Sequence, residues 1–383
     1  MGASGTHLNV APQGETMTEI IAAVLRETGG PFTIEKGTLE APRADEILVR
    51  VLGVGLCHTD LVARDQVIPI PFPAVLGHEG SGIVEAVGAN VRKVVPGDKV
   101  VLTFRSCGEC PTCLRGEPAY CHQFPILNFA GVRPDGSHPI SIGGAAASGN
   151  FFGQSSFASH ALAYERNVVK VAADAPIELL GPLGCGLQTG AGAIMRSLAC
   201  RAGSSVLVMG TGAVGLSAIM AAKVQGCTTI IASDPMAERR RLALELGATH
   251  AIDPRAGDLA TAVREILPLG VDYALDTSGL PAVIEGALGC MAPRGSLGLV
   301  GVPPAVDATF ATLLIAFISL GLSVHGIIEG DSDPDVLIPE LVRLHAEGRF
   351  PLERLVKVYP MAEINQAVAD QHHGVCVKVV LKP

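Results

Sequence analysis

The sequence predicts a two-part α/β protein, with an all-β, barrel-like segment followed by a doubly wound parallel sheet flanked by helices. Three observations predict it. From Glu19 to about Val171, short β-type runs are separated by Gly and Pro, as in EILVRVLGVG, SGIVEAVGA and GDKVVLTF; that spacing suits an antiparallel barrel. Beyond Gly186, short β runs alternate with helical patterns, the signature of a parallel sheet covered on both faces. At 383 residues the chain is also too long for one hydrophobic core.

Each element follows from its pattern. The turn Val95-Pro96-Gly97 precedes the strand GDKVVLTF. Cys107 to Gly153 shows no period and reads as one long irregular loop, a length usually tied to function or to a staple. In the second part SSVLVMG, TTIIASD, HAID, VDYALDT and GSLGLVGV read as strands. Helices are expected at AVGLSAIMAAKVQG, at AERRRLALELG and around Ala260–Ile266. The chain then closes with the helix PDVLIPELVRLHAEG, a second helix near Glu363–Asp370 and the strand VKVVL.

Composition narrows the function classes. The chain is 48% hydrophobic and 17% charged with a net charge of −9, and it has no basic cluster. A well-buried globular enzyme fits; nucleic acid and anionic membrane are poor partners. Residues 1–18 read as a flexible tail with no export signal, and Met17 offers a second start. The uncharged run Ala308–Ile328 is long enough to span a bilayer. Gly321, His325 and Gly326 interrupt it, so it reads as a buried helix-strand segment at a subunit interface. Ten cysteines, several clustered, point to metal before disulfides and to a reducing, cytoplasmic compartment.

VLVMGTGAVG sets Gly210, Gly212 and Gly215 between a strand and a helix, with Ala213 and Val214 in the same turn. Such glycines let a backbone approach a pyrophosphate, which then meets the free N–H groups of the helix. Asp234 ends the next strand, where a carboxylate binds ribose hydroxyls and repels a 2′-phosphate. NAD is therefore expected over NADP. Arg239 stands five residues on, beside the same ribose or simply in the solvated ERRR run.

Cys107, Cys110 and Cys113 are spaced by two residues and followed by Cys121, enough to wrap one tetrahedral zinc. A closed tetrathiolate set is structural. An iron–sulfur cluster uses the same donors, but nothing else in the chain suggests electron transfer. Cys57 in GLCHTD, His78 in GHEG and Cys185 in GPLGCGLQTG remain. Each alone is more often a buried residue than a ligand. Together they match an open catalytic zinc site with a fourth position free.

With these motifs in order, the chain resembles the medium-chain zinc alcohol dehydrogenases from about Glu19 to Lys382. GHEGSG, FFGQSSF and GPLGCG with Leu187-Gln188-Thr189 are most similar to the aryl-alcohol, benzyl-alcohol and geraniol types. The resemblance implies a GroES-like catalytic domain (19–186 and 329–383) built from both chain ends around a Rossmann domain (187–328). It implies NAD-linked oxidation of a primary alcohol by hydride transfer from a zinc-bound alkoxide, two zincs per chain and a homodimer or homotetramer.

By the same resemblance, Thr59 accepts the alcohol proton and Asp60 orients His78. Glu79 approaches the zinc or forms a plain salt bridge. His58 and Lys378 contact the pyrophosphate, Thr189 and Val214 lie by the nicotinamide, and Val302 is a further cofactor contact. One departure stands out: the relatives' relay histidine, three residues after the hydroxyl, is Val62 here. Thr103 falls where relatives line the substrate pocket, and Phe104, Phe129 and Phe151 are expected nearby, favouring an aromatic or allylic alcohol. The competing readings are an S-(hydroxymethyl)glutathione (formaldehyde) dehydrogenase, which needs basic pocket residues, a general aliphatic alcohol dehydrogenase, and a zinc protein without catalysis.

Overall fold

The computed structural model describes residues 17–305 and 307–383. Most of the expected tail, and with it the choice between Met1 and Met17, lies outside the described residues; Thr18 already begins a strand.

The first part is built from two sheets. Glu46–Leu56 is central to the larger one, and six of its own residues are buried and apolar, Val49, Val54 and Leu56 among them. It pairs antiparallel with Glu79–Val87, His160–Tyr164 and the C-terminal strand Lys378–Lys382, with Val380 opposite Gly55. The last strand of the chain thus completes the first part. The smaller sheet joins Thr18–Leu25 and Thr33–Leu39 to Ala74–Val75, Ile140–Ile142 and Ala145–Ala147. Fully buried Leu25, Leu39, Ile47 and Phe157 belong to one cluster between them; each such side chain contributes about 1.5–3 kcal/mol by leaving water.

The second part is a six-stranded sheet, β1 (Ser205–Met209), β2 (Thr229–Ser233), β3 (His250–Ile252), β4 (Val271–Asp276), β5 (Met291–Leu299) and β6 (Ser323–Gly326). All pairs are parallel, in the order β3-β2-β1-β4-β5-β6. That is the doubly wound dinucleotide order, whose ligand crevice lies beyond the C-terminal ends of the central strands. The helix after β1, Ala213–Gln225, stops at Gly226, whose φ of +81° caps it in the left-handed form.

Two expectations are corrected. The stretch 107–153 is not irregular: it holds the helices Pro111–Leu114 and Phe124–Phe129 and the hairpin Ile140–Ile142/Ala145–Ala147, which extends the smaller sheet. These elements are too short to show a period. The run Ala308–Ile328 is not buried. It forms the helix Leu314–Leu320 and β6, and Leu313, Leu314, Ile315 and Ile318 are 67–76% exposed. Among the described residues no helix is long and apolar enough to cross a membrane.

Candidate active site and metal centres

Strand Glu46–Leu56 delivers Cys57 to the start of the short helix His58–Arg64. The Cys57 backbone N–H donates to Asp60 Oδ2 at 3.0 Å. Asp60 Oδ1 accepts from the Gly77 N–H at 3.1 Å and lies 2.9 Å from His78 Nδ1. Asp60 and His78 are both fully buried. A carboxylate so placed takes the Nδ1 proton in hydrogen bonding, so Nε2 presents its lone pair. His78 Nε2 is buried with no hydrogen-bond partner among the described residues. Its ring is also clamped by Phe152, stacked at 4.5 Å, and by the edge of Phe151 at 5.6 Å.

Ligating atoms of Cys57, His78, Glu79 and Cys185 lie within 4.8 Å of one another. Two thiols, an imidazole with an orphaned nitrogen and a nearby carboxylate suit a zinc ion with an open position. The charge environment agrees. A hydrogen bond from the Cys185 thiol to the Cys57 sulfur, together with Lys378 and His78, holds the Cys57 thiol well below its ordinary range despite burial; the thiolate is the ligating form. Burial pushes Glu79 up to about 7, against the pull of Lys378.

Lys378 makes a different contact from the expected one. It is 2% exposed, donates to Leu56 O at 3.0 Å and to Glu79 Oε1 at 2.7 Å, and sits 2.6 Å from Glu79 Oε2. Glu79 also accepts from the Gly186 N–H at 3.1 Å, linking the pair to the residue after Cys185. Replacing Asp60 by Ala is expected to weaken metal affinity by about 10–100-fold, read by competition with a chelating dye. Unchanged affinity would show that His78 is held by its aromatic neighbours alone.

Cys107, Cys110, Cys113 and Cys121 form a second group whose sulfurs lie within 4.8 Å of one another. Backbone N–H groups point at them: Cys110 N at 3.3 Å from the Cys107 sulfur and Cys107 N at 3.2 Å from that of Cys121. The Thr112 hydroxyl, with backbone N–H groups behind it, brings the Cys110 thiol down to about 5. N–H groups aimed at sulfur favour thiolates, the form a tetrahedral zinc takes. All ten cysteines are free thiols.

Between the two sheets systems lies a cleft of about 990 Å³. Cys57, Thr59 and Cys185 line its floor, and Phe124, Phe129 and Phe152 supply aromatic rings. Those rings touch edge to face, with centroids 5.8 Å (Phe124–Phe129) and 5.4 Å (Phe129–Phe152) apart. Thr59 Oγ1 is 3.8 Å from the Cys57 sulfur. His58, Val62, Thr189, Val214 and Val302 line the same cleft, bringing the expected cofactor and relay residues together.

At the end of β1, Gly210 adopts a φ of +87°. A Cβ on Gly215 would lie 1.9 Å from Gly210 O, so only glycine lets the helix Ala213–Gln225 pack there. Gly212, by contrast, has no atom within 4 Å of a built Cβ: this is open space at the helix start, the cradle a pyrophosphate needs. Asp234 is 3% exposed, accepting from Thr211 N and Met236 N, each at 2.8 Å. Arg239 makes no hydrogen bond among the described residues, and its Nε is buried without a partner.

Sequence reasoning misplaced Thr103. Its hydroxyl donates to Gly184 O at 2.6 Å and accepts from Gln188 Nε2 at 2.8 Å, so it braces the loop before Cys185 rather than lining the cleft. Phe104 and Phe151 likewise stand behind the wall, each 1% exposed. Four residues were missed, and Phe124 of the ring wall is one of them. Phe152, in the left-handed region at φ +53°, was hidden by its non-glycine identity. Gln154 donates to His78 O at 2.9 Å and Thr103 O at 3.1 Å; a lone amide inside the apolar FFGQSSF run was its signal. Glu329, taken only as a boundary, is buried in the cleft and pushed up to about 7 by that burial.

Residues 43–173 match the alcohol dehydrogenase GroES-like domain model, and residues 213–344 the zinc-binding dehydrogenase model. A geraniol dehydrogenase of Castellaniella defragrans is 49% identical over 362 residues, 94% of this chain and 96% of that one. The chain belongs to the zinc-type alcohol dehydrogenase family. The dehydrogenase also superposes on an alcohol dehydrogenase zinc-binding domain protein from Burkholderia ambifaria, at 52% identity and a TM-score of 0.95 over 96% of this chain and 99% of that one. The benzyl alcohol dehydrogenase of Acinetobacter calcoaceticus follows at 45% and 0.92, over 95% and 99%. As a member of this family, the dehydrogenase works on a small-molecule alcohol with zinc and a nicotinamide cofactor.

Proposed function

We propose that this dehydrogenase oxidises primary aromatic or allylic alcohols reversibly to aldehydes with NAD. Cys57, His78 and Cys185 hold the zinc at the reacting centre, and Cys107, Cys110, Cys113 and Cys121 hold a structural one. The observation that supports the substrate class is the ring wall of Phe124, Phe129 and Phe152 beside Cys57 and Cys185. A flat conjugated substrate gains aromatic contact there, and conjugation stabilises its aldehyde. The cleft lining includes Glu329 and no lysine or arginine, which disfavours a glutathione adduct bearing carboxylates. The names of the geraniol and benzyl alcohol relatives agree.

When bound, zinc supplies a Lewis acid for the alcohol oxygen and the nicotinamide accepts the hydride. The chain does the rest. Asp60 fixes the His78 tautomer, and Glu79 stays paired with Lys378 at the edge of the ligand set. Thr59 takes the hydroxyl proton, because a hydroxyl both accepts and donates. Val62 lines the cleft and cannot titrate, so beyond Thr59 the proton would pass to His58, to water or to the ribose hydroxyl of a bound dinucleotide. Gly210, Gly212, Ala213, Val214 and Gly215 open the helix N-terminus to the pyrophosphate, with His58 as a basic neighbour. Thr189, Val214 and Val302 flank the nicotinamide. Asp234 and Arg239 meet the adenosine ribose, and a buried carboxylate there disfavours the 2′-phosphate of NADP.

Side-by-side assays with benzyl alcohol, geraniol, hexanol and S-hydroxymethylglutathione, each with NAD and with NADP, test this reading. Benzyl alcohol and geraniol with NAD are expected to give the highest kcat/KM. Turnover of the glutathione adduct alone would overturn it.

The domain limits 187 and 328 and a cytoplasmic location remain part of the proposal. So does assembly: the exposed apolar helix Leu314–Leu320 adjoins β6, an edge strand with one neighbour, and such a face calls for cover. A second copy is proposed to cover it, giving a homodimer or homotetramer. Light scattering is expected to show a multimer that Ile318→Glu weakens; a monomeric parent protein would contradict this.

A further inference from the structure

Glu329 lies outside the set of four atoms that converge on the metal position, yet its side chain is buried in the same cleft. The turn that carries it is unusual. Glu329, Gly330 and Asp331 are three consecutive residues with positive φ, at +51°, +69° and +50°. Non-glycine residues persist in that region only when their surroundings enforce it, and such strain collects at functional sites.

The enforcement is visible on both sides. A Cβ on Gly330 would stand 2.6 Å from Gln188 O, and one on Gly192 would stand 2.5 Å from Gly330 O, so the turn is pressed directly on the helix Gly186–Gly192. Asp331 accepts from the hydroxyls of Tyr120 and Ser197, and Ser332 Oγ donates to Glu329 O at 2.7 Å. The consequence is a carboxylate delivered beside Gln188 and Thr189. Gln188 Nε2 donates to Glu329 Oε2 at 3.1 Å, and Thr189 Oγ1 lies 3.4 Å from the same oxygen.

The Cys185 side chain lies against the same carboxyl group, and these contacts together still use only part of a carboxylate's four acceptor positions. The cleft lining includes no lysine or arginine to answer them. The Glu329 carboxylate thus keeps free acceptor positions where Thr189 and Val214 line the cleft, and an N–H donor of a bound ligand would fill one. We propose that the Glu329 carboxylate accepts a hydrogen bond from the carboxamide NH2 of the nicotinamide, fixing which face of the ring meets the substrate. This rests on the reading that the cleft holds the nicotinamide beside Thr189 and Val214.

Equilibrium binding tests it, using the zinc-loaded protein with NAD and with 3-acetylpyridine adenine dinucleotide, in which a methyl replaces the carboxamide NH2. The parent protein is expected to bind NAD about tenfold more tightly than the analogue, the scale of one hydrogen bond to a charged group. Glu329→Ala is expected to bring that ratio close to one, whereas Glu329→Gln, whose amide oxygen still accepts, keeps most of it. If Glu329→Ala weakens both dinucleotides alike, the residue only shapes the turn and the proposal fails. Equal affinity of the parent protein for both also overturns it, with no variant needed. Binding of neither would sink the nicotinamide reading itself.

Discussion

Replacing Thr59 by Ala lowers the rate of alcohol oxidation by about 10²-fold or more, the scale of a positioned proton transfer, while zinc content and NAD affinity stay unchanged. The expectation follows from position. Thr59 stands in the first turn of the helix that Cys57 starts, and its hydroxyl is 3.8 Å from the Cys57 sulfur at the cleft floor. The residue one turn on is Val62, which lines the cleft but holds no proton. Thr59 is therefore the one hydroxyl next to Cys57 in this helix, and its loss is not made good by a neighbour. Thr59→Ser restores a hydroxyl and is expected to recover most of the rate. Near-normal turnover of Thr59→Ala would remove Thr59 from the relay.

Replacing Cys113 by Ala removes one zinc per chain and disorders a wall of the cleft. The four sulfurs are the centre of a small cluster containing Leu127 and Phe124, too little apolar surface to hold a lobe by itself. Structural zinc in small peptides contributes about 10–16 kcal/mol of apparent binding energy, so the metal is the main support here. The lobe matters for catalysis because Ala119, Tyr120 and Phe124 line the cleft, and the Tyr120 hydroxyl, which donates to Asp331, also lies 2.9 Å from Gly326 O at the end of β6. The variant is expected to melt earlier, by about 2–4 °C for each kcal/mol lost, and to show a raised KM for alcohol. An unchanged melting temperature and KM would mean that the lobe is held by packing.

The sequence was most legible where the signal is local. The strands and helices from Ser205 to Leu299 follow directly from periodicity, and the glycine turn from its fingerprint. The metal sets were legible because Cys and His are scarce and their spacing is constrained. What failed was non-local or depended on exposure. Ala308–Ile328 reads as a buried segment at a subunit interface, and within the single chain its helix Leu314–Leu320 is exposed, because apolarity does not tell a core from a face left open for a partner. Thr103 was placed by its position before Cys107 and Lys378 by resemblance to the family, while their partners Gly184 and Glu79 lie 81 and 299 positions away. Glu329 carried no local signal: its neighbours Gln188 and Thr189 are 141 and 140 residues distant.

The most direct test of the central claim is the zinc content of the purified chain, measured by mass spectrometry before and after brief chelation and compared with activity. Two zincs per chain are expected, with activity falling as the more accessible one leaves and returning when zinc is restored. One zinc or none in the active protein, or activity unaffected by its removal, would contradict a zinc site at Cys57, His78 and Cys185.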